Sequence, residues 1–365
     1  GCTECHGPSA ANGNDYGPDY EPGCADCHAT HTDWSVEQNQ CLSCHGRQKK
    51  EIALGYSDVH RDAGMVCWDC HTDGDVHGDG NAYDSMLQPG GIDVDCIDCH
   101  EDYEADHPYD WHDGKLHCTS CHAQTVTTCY NCHFESQLEH VKRAKGVLTD
   151  FVILGNRHKD GKVYPMTFQS LTNQGDAWSA FGPFTSHTIT RDGRSCNECH
   201  LNFYEGENEA IEQYNATGGI KFAEWEESTH TLTYVHGVIP MPFDYEQSWT
   251  MDYLTYIGDP SDPPSGDATL WTGIGKDVWD GHQMFFIDPM TEAQMAKLGF
   301  DVDGFEPLRN VCSEDINHDG LIDQGDLGIL LASYEVDGAG DIDGDGDTDQ
   351  QDLGLLLAAY GRDCP

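Results

Sequence analysis

Basic residues are scarce in this chain. It has 18 Lys and Arg against 65 Asp and Glu, and its formal net charge is −47. Proteins bind nucleic acid through clustered Lys and Arg that contact the phosphates, so this balance excludes a nucleic-acid partner. It also disfavours an anionic membrane surface. The simplest interpretation of the negative charge is that it keeps the protein soluble. A more specific alternative is that it attracts a cationic redox partner.

Long apolar runs are missing as well. No stretch approaches the roughly 18 consecutive apolar residues that predict a membrane-spanning helix. No signal peptide is visible, and the start at Gly1-Cys2 is typical of a processed N-terminus. Hydrophobic residues make up only 38% of the chain, and 40 residues are Gly. We therefore expect no ordinary apolar core in the first 200 residues.

Cysteine, by contrast, is abundant: 16 of 18 cysteines form eight copies of Cys-x-x-Cys-His. The copies are Cys2, Cys5 and His6; Cys24, Cys27 and His28; Cys41, Cys44 and His45; Cys67, Cys70 and His71; Cys96, Cys99 and His100; Cys118, Cys121 and His122; Cys129, Cys132 and His133; and Cys196, Cys199 and His200.

This motif predicts covalent c-type haem. The two thiols add to the two vinyl groups of the porphyrin, and the adjacent His becomes the proximal ligand of the iron. A disulfide framework would not need the His, and a structural zinc site pairs two such motifs at regular separation. Because haem is attached outside the cytoplasm, the motifs also predict an exported protein.

The distal ligands decide the chemistry of each iron. A second His closes the iron for electron transfer, whereas an open position allows a substrate to bind. The chain has 21 His, so 13 remain after the eight motif residues, and His318 falls in a predicted calcium loop. The favoured distal candidates are His31, His60, His77, His107, His117, His140, His187 and His236. The reserve candidates are His112, His158, His230 and His282.

The motif array resembles the octahaem c-type cytochromes. That resemblance implies eight haems and three possible branches. The first is the bis-His electron carriers, some of which polymerise. The others are the enzymes that oxidise hydroxylamine or reduce nitrite, and the tetrathionate reductases, in which Lys serves at the active haem. All eight motifs here carry His. The expected fold is mostly irregular and helical with few β-hairpins and with the haems as its core, followed by a small α-helical module.

A duplicated loop-and-helix pattern ends the chain, with an offset of 26 residues between its copies. Oxygen-bearing side chains at loop positions 1, 3, 5, 9 and 12 and Gly at position 6 fit a calcium loop. The predicted side-chain ligands are Asp315, Asn317, Asp319, Asp323 and Asp326 in the first loop, and Asp341, Asp343, Asp345, Asp349 and Asp352 in the second. At position 7 the backbone carbonyls of Leu321 and Asp347 are the predicted ligands.

This pattern resembles a type I dockerin over residues 313–363, which implies two Ca²⁺ ions and a possible cohesin-like partner. An acidic run without metal is the alternative. The two ends of a pseudo-twofold module should meet, so we predict a disulfide between Cys312 and Cys364.

Three regions follow from these patterns. Residues 1–200 form the haem region with a motif-free insertion at 134–195, and residues 311–365 form the calcium module. Residues 201–310 are either an aromatic wrapping segment or a small β domain. Local patterns predict a strand from Phe151, a turn at Asp160-Gly161 and a returning strand, a strand at Thr231–Val235, and a helix from Thr291 that ends at Gly299.

The sequence thus predicts an electron carrier without its own substrate, located at the cell surface, outside the cell or in the periplasm. We expect a head-to-tail homopolymer that exchanges electrons with redox proteins or extracellular acceptors. The alternatives are an octahaem enzyme that acts on a small nitrogen or sulfur compound, and a monomeric surface-anchored carrier.

Overall fold

The computed structural model describes residues 28, 35–83, 85–92, 94–101, 107, 112–139, 141–201, 208–274, 281–302, 316, 321–334, 336, 340, 342 and 348–361. The chain divides into two compact units, Gly1–Val302 and Asp303–Pro365.

The helices of the described residues are short. They are α1 (Gln38–Cys44), α2 (Gly46–Leu54), α3 (Val59–Asp62), α4 (Cys67–Cys70), α5 (Asp73–His77), α6 (Cys118–His122), α7 (Phe134–Leu138), α8 (Glu209–Thr217), α9 (Tyr245–Ser248), α10 (Glu292–Leu298), α11 (Gln324–Ser333) and α12 (Gln350–Ala359). Single 3₁₀ turns occur at Cys96–Asp98, Cys196–Glu198 and Ala268–Leu270.

The described residues also form thirteen strands. They are β1 (Thr128–His133), β2 (Ala144–Leu148), β3 (Phe151–Arg157), β4 (Val163–Asn173), β5 (Asp176–Pro183), β6 (Ile220–Glu226), β7 (Thr231–Tyr234), β8 (Gly237–Pro240), β9 (Trp249–Met251), β10 (Leu254–Tyr256), β11 (Trp271–Gly273), β12 (His282–Met284) and β13 (Ile287–Asp288).

One eight-stranded sheet organises the first unit. Its main path runs β12-β5-β4-β1-β2, and β3 pairs with β4, β8 and β13. The long strand β4 is antiparallel to β5 from Met166 to Asn173, and its C-terminal part runs parallel to the end of β1. Two small sheets, β10-β11 and β7-β6-β9, accompany the main sheet.

The core of this unit is made of protein side chains. Fully buried aromatic rings pack against one another, with centroids 5.2 Å apart for Phe168 and Phe222 and 5.8 Å apart for Phe181 and Trp249, both edge to face. This arrangement suits the ring quadrupoles, and burial of each large apolar side chain contributes about 1.5–3 kcal/mol.

The expectation of a mostly irregular and helical fold with haems as the core is therefore wrong. The hydrophobic residues are unevenly distributed along the chain: among the described residues of the first unit, the buried apolar side chains lie between Ala123 and Phe300. β-Branched and aromatic residues alternate there with small polar ones, a pattern that favours strands. Residues after 200 share this core, and β8, β12 and β13 join the same sheet as β3 and β5.

Three local predictions are confirmed. Strands β3 and β4 form the expected antiparallel hairpin, and Gly161 takes a φ of +67° in its turn. Strand β7 covers Thr231–Tyr234. Helix α10 is capped by the Thr291 side chain and ends at Gly299, whose φ of +101° favours glycine.

The second unit has a small core of its own. Ile322, Leu330, Ile342, Leu356 and Ala359 pack together between α11 and α12. The N–H of Gly361 donates to the carbonyl of Ile322 at 2.8 Å, which brings the end of α12 next to the end of the first loop.

Candidate haem-binding sites

Five of the eight motifs fold into a single helical turn. In four of them the N–H of the motif His donates to the carbonyl of the first Cys, at 3.0 Å for His45, His71 and His100 and at 2.8 Å for His200. The fifth, Cys118–His122, is helix α6. Residues i, i+3 and i+4 lie on one face of a helical turn, so both thiols and the imidazole face the same way. The first two motifs lie outside the described residues, apart from His28.

Five motif histidines face a second histidine from elsewhere in the chain. The ring centroids are 6.1 Å apart for His28 and His77, 6.4 Å for His71 and His187, 6.1 Å for His100 and His60, 5.9 Å for His122 and His107, and 6.2 Å for His200 and His112.

This spacing suits one metal ion between two imidazoles. An imidazole nitrogen binds a transition metal at about 2.0 Å, and the ring centre lies about 1.1 Å behind the nitrogen, so centroids on opposite sides of one ion are about 6.2 Å apart. The residues present therefore fit five haems with His on both sides of the iron.

The Nδ1 atoms of two motif histidines face carbonyl oxygens. His122 Nδ1 lies 3.0 Å from the carbonyl of Thr190, and His200 Nδ1 lies 2.9 Å from that of Lys297. A carbonyl can only accept, so Nδ1 carries the proton and Nε2 keeps its lone pair. This tautomer is the one that metal-binding histidines use when Nε2 is the ligand atom.

Carboxylates take the same position beside other histidines of the pairs. Asp73 contacts Nδ1 of His77, and Asp58 lies 3.6 Å from Nδ1 of His60. A carboxylate at this position orients the ring and increases the basicity of the ligand nitrogen.

Thiols from different motifs are neighbours in the fold. The pairs are Cys70 with Cys99, Cys96 with Cys118, and Cys121 with Cys196. The hydrogen bond between Cys96 and Cys118 raises the pKa of the Cys96 thiol and lowers that of Cys118 to about 6. The attachment points of the motifs from Cys67 to Cys121 and of the motif at Cys196 thus form one continuous series.

Four of the favoured distal candidates, His60, His77, His107 and His187, lie opposite motif histidines. His112, a reserve candidate, takes the position opposite His200. No local pattern around His112 distinguishes it from its neighbours, because the pairing depends on how the chain folds back against a motif far along the sequence.

His117 has different surroundings. It is buried and caps helix α6, since its Nδ1 accepts the N–H of Thr119 at 3.3 Å. Its Nε2 lies 3.6 Å from Asp95, and burial lowers its pKa to about 4. Its ligand atom lies within 4.8 Å of those of Asp95 and Cys96, but Cys96 belongs to a haem motif.

The other candidates do not face a motif histidine within the described ranges. His236 is exposed and packs on Tyr234 with centroids 4.6 Å apart, His158 lies 3.0 Å from Asp288, and His230 packs on Trp225. His282 is buried in β12. His6, His31 and His140 lie outside the described residues.

The seventh motif is the exception in shape. Cys129–His133 lies in strand β1, with Cys129 opposite Val147 and Cys132 opposite Ala144 on β2. The N–H of His133 donates to the carbonyl of Arg143 at 2.9 Å instead of closing a turn on Cys129. Within the described part of the chain, no second imidazole faces His133 or His45 at the spacing of the five pairs.

The calcium loops are described only in part. Leu321, Asp323, Asp326, Asp349 and Asp352 are placed, whereas Asp315, Asn317, Asp319, Asp341, Asp343, Asp345 and Asp347 lie outside the described residues, as do Cys312 and Cys364. Asp326 and Asp352, at position 12 of the two loops, are fully buried. A buried carboxylate is costly unless a cation or donors compensate it, so both residues fit a calcium site.

A sequence similarity to a known protein supports the haem interpretation. The multihaem cytochrome MtrA of Shewanella baltica (strain OS185) is 31% identical over 108 residues, which cover 27% of this chain and 31% of that protein. The chain is thus similar to a multihaem cytochrome. It spans less than a third of that relative, however, and neither a family model nor a solved structure matches it. Among the described helices, none is long and apolar enough to cross a membrane.

Proposed function

We propose that this protein is an exported multihaem c-type cytochrome that transfers electrons and has no substrate of its own. The observation that carries this proposal is the set of five opposed histidine pairs, each joining a motif His to a second His at 5.9–6.4 Å. The bound haems would supply one-electron redox chemistry at these positions.

At the five pairs the residues favour electron transfer over catalysis, because a histidine is available for each of the two axial positions. An enzyme of the nitrogen- or sulfur-compound type needs at least one iron with a position open to substrate. The motif histidine and its partner instead occupy both sides in each of the five pairs. The neighbouring thiols of successive motifs further support a continuous series of haems rather than one isolated site.

Electron paramagnetic resonance of the oxidised protein tests this function. We expect low-spin ferric signals that account for the haems of the five pairs, and no change in the absorption spectrum after addition of nitrite or hydroxylamine. A large high-spin signal, together with turnover of nitrite, hydroxylamine or tetrathionate, would replace the carrier with the enzyme.

Several finer parts of the hypothesis belong to the same proposal. They are a haem at each Cys-x-x-Cys-His turn, two Ca²⁺ ions in the C-terminal module, a location outside the cell or at its surface, and end-to-end assembly of copies. The ligand residues of the module and the series of neighbouring motifs support them. A cohesin-like partner stays a prediction from the resemblance to dockerins.

A further inference from the structure

The seventh motif disagrees with haem attachment, and we infer that Cys129–His133 carries no haem but is a structural strand of the main sheet. The mature protein would then hold seven haems, although the sequence contains eight motifs. This inference goes beyond the proposed function, which does not depend on this motif.

The first reason is the direction of the side chains. Asn131 takes a φ of +51°, which interrupts the regular alternation of β1, so Cys129 and Cys132 are both half-buried while Tyr130, Asn131 and His133 are buried. Cys132 and His133 are adjacent in the strand, so the thiol and the ring point to opposite faces. Cys129 and Cys132 are half-buried, whereas His133 is buried with its ring 5.8 Å from that of Tyr256. A haem held by both thiols would therefore not have this imidazole beneath its iron.

The second reason is the hydrogen bonding of the imidazole. Nδ1 of His133 lies 3.0 Å from Oγ of Ser136 and 3.3 Å from the backbone nitrogen of Ser136. Nε2, the atom that would have to bind the iron, lies 3.2 Å from a carboxylate oxygen of Glu135. In His122 and His200, Nδ1 instead faces a carbonyl oxygen, so Nε2 keeps its lone pair. The surroundings of His133 are thus unlike those of these two motif histidines, which face a second imidazole.

The third reason is what the strand holds in place. Tyr130 is fully buried and its hydroxyl donates to the carbonyl of Asp252, while the Asn131 amide donates to the carbonyl of Leu254 at 3.2 Å. The Asn131 N–H donates to Ser170 Oγ at 2.8 Å. Winding Cys129–His133 into a helical turn would break these contacts and separate β1 from β2 and β4.

Mass spectrometry of the secreted, fully matured protein tests the inference directly. Trypsin cuts after Lys115 and Lys142, so one peptide, 116–142, contains both the sixth and the seventh motif. We expect this peptide to carry one haem, with fragment ions that assign it to Cys118 and Cys121, and two alkylatable thiols at Cys129 and Cys132. Two haems on the peptide, or any haem on Cys129 or Cys132, would overturn the inference.

A pair of matched variants gives a second measurement. Cys129→Ala/Cys132→Ala should keep the number of haems per chain unchanged, whereas Cys118→Ala/Cys121→Ala should lose one. If the Cys129→Ala/Cys132→Ala variant folds and contains one haem fewer, the inference is overturned. A protein with no haem at all would instead refute the proposed function, so the two failures are distinguishable.

Discussion

At the scale of single residues, the contact made by Nδ1 distinguishes two groups of histidines. His122 and His200 face carbonyl oxygens, and His77 faces a carboxylate. Nδ1 of His117 and Nδ1 of His133 instead lie beside a hydroxyl group and a backbone N–H. The structure thus gives His117 the role of a helix cap, although its position next to Cys118 made it a favoured ligand from the sequence.

His187 offers a test of a single distal ligand. Its ring lies 6.4 Å from that of His71, so His187→Ala should open one axial position. We expect electron paramagnetic resonance to show one high-spin ferric haem per chain and the low-spin signal to fall by the same amount. The matched control is His236→Ala, because His236 is exposed and its ring packs on that of Tyr234. Unchanged spin states in His187→Ala would contradict the pairing.

His282 makes the stability of the first unit depend on pH. Burial lowers its pKa to about 4, against about 6.5 in an unfolded chain. The unfolded state therefore binds the proton more strongly, so this contribution is full above pH 6.5 and is lost as the pH falls toward 4. The loss is about 3 kcal/mol. Denaturant unfolding at pH 7.5 and 4.5 should show that the free energy of unfolding falls less between the two pH values in His282→Leu than in the unchanged protein.

The control for this prediction is His236→Leu, which replaces an exposed ring. In this variant the free energy of unfolding should fall between pH 7.5 and 4.5 by as much as in the unchanged protein. If His282→Leu and the unchanged protein lose the same free energy of unfolding between the two pH values, another group is responsible for the acid sensitivity.

At the scale of elements, the sequence predicted the β3–β4 hairpin and the end of helix α10 but not the main sheet. The hairpin is visible from the turn residues between two apolar runs. The partners of β4 are not visible, because β1, β3 and β5 join it through contacts between distant residues. For the same reason the motif in β1 could not be distinguished from the other seven.

The C-terminal helices provide the prediction at this scale. The position-12 residue Asp352 accepts the N–H groups of Ile342 and Asp349, each at 2.7 Å, so the loop is already shaped around a buried carboxylate. Removal of calcium should take away the cation that offsets this charge and lower the melting temperature of unit Asp303–Pro365 alone. Calorimetry with and without a chelator should show one shifted transition and one unshifted transition.

Variants of the first loop positions separate binding from general acidity. Asp315→Ala/Asp341→Ala should reduce the calcium bound, measured by isothermal titration, from two ions to none. Asp262→Ala, which removes an exposed carboxylate of the first unit, should keep both ions. Release of haem or collapse of the first unit on chelation would contradict an independent module.

At the scale of the whole molecule, charge acts against the predicted assembly. Each chain carries a formal net charge of −47, so two copies repel each other at low ionic strength. Salt shortens the range of this repulsion to about 8 Å at 0.15 M. Bound Ca²⁺ would reduce the negative charge further. If copies do assemble, the contacts therefore have to be short-ranged and should form only when the charge is screened.

End-to-end assembly is therefore expected to depend on salt. A single chain can carry electrons only across its own length, whereas head-to-tail contacts that do not close extend the path as a helix. In negative-stain images we expect filaments at about 0.15 M salt with calcium and dispersed particles at about 0.01 M salt, where the Debye length is about 30 Å. Sedimentation should show the same change. A monomer or a closed dimer at every salt concentration would contradict the polymer and leave a soluble carrier.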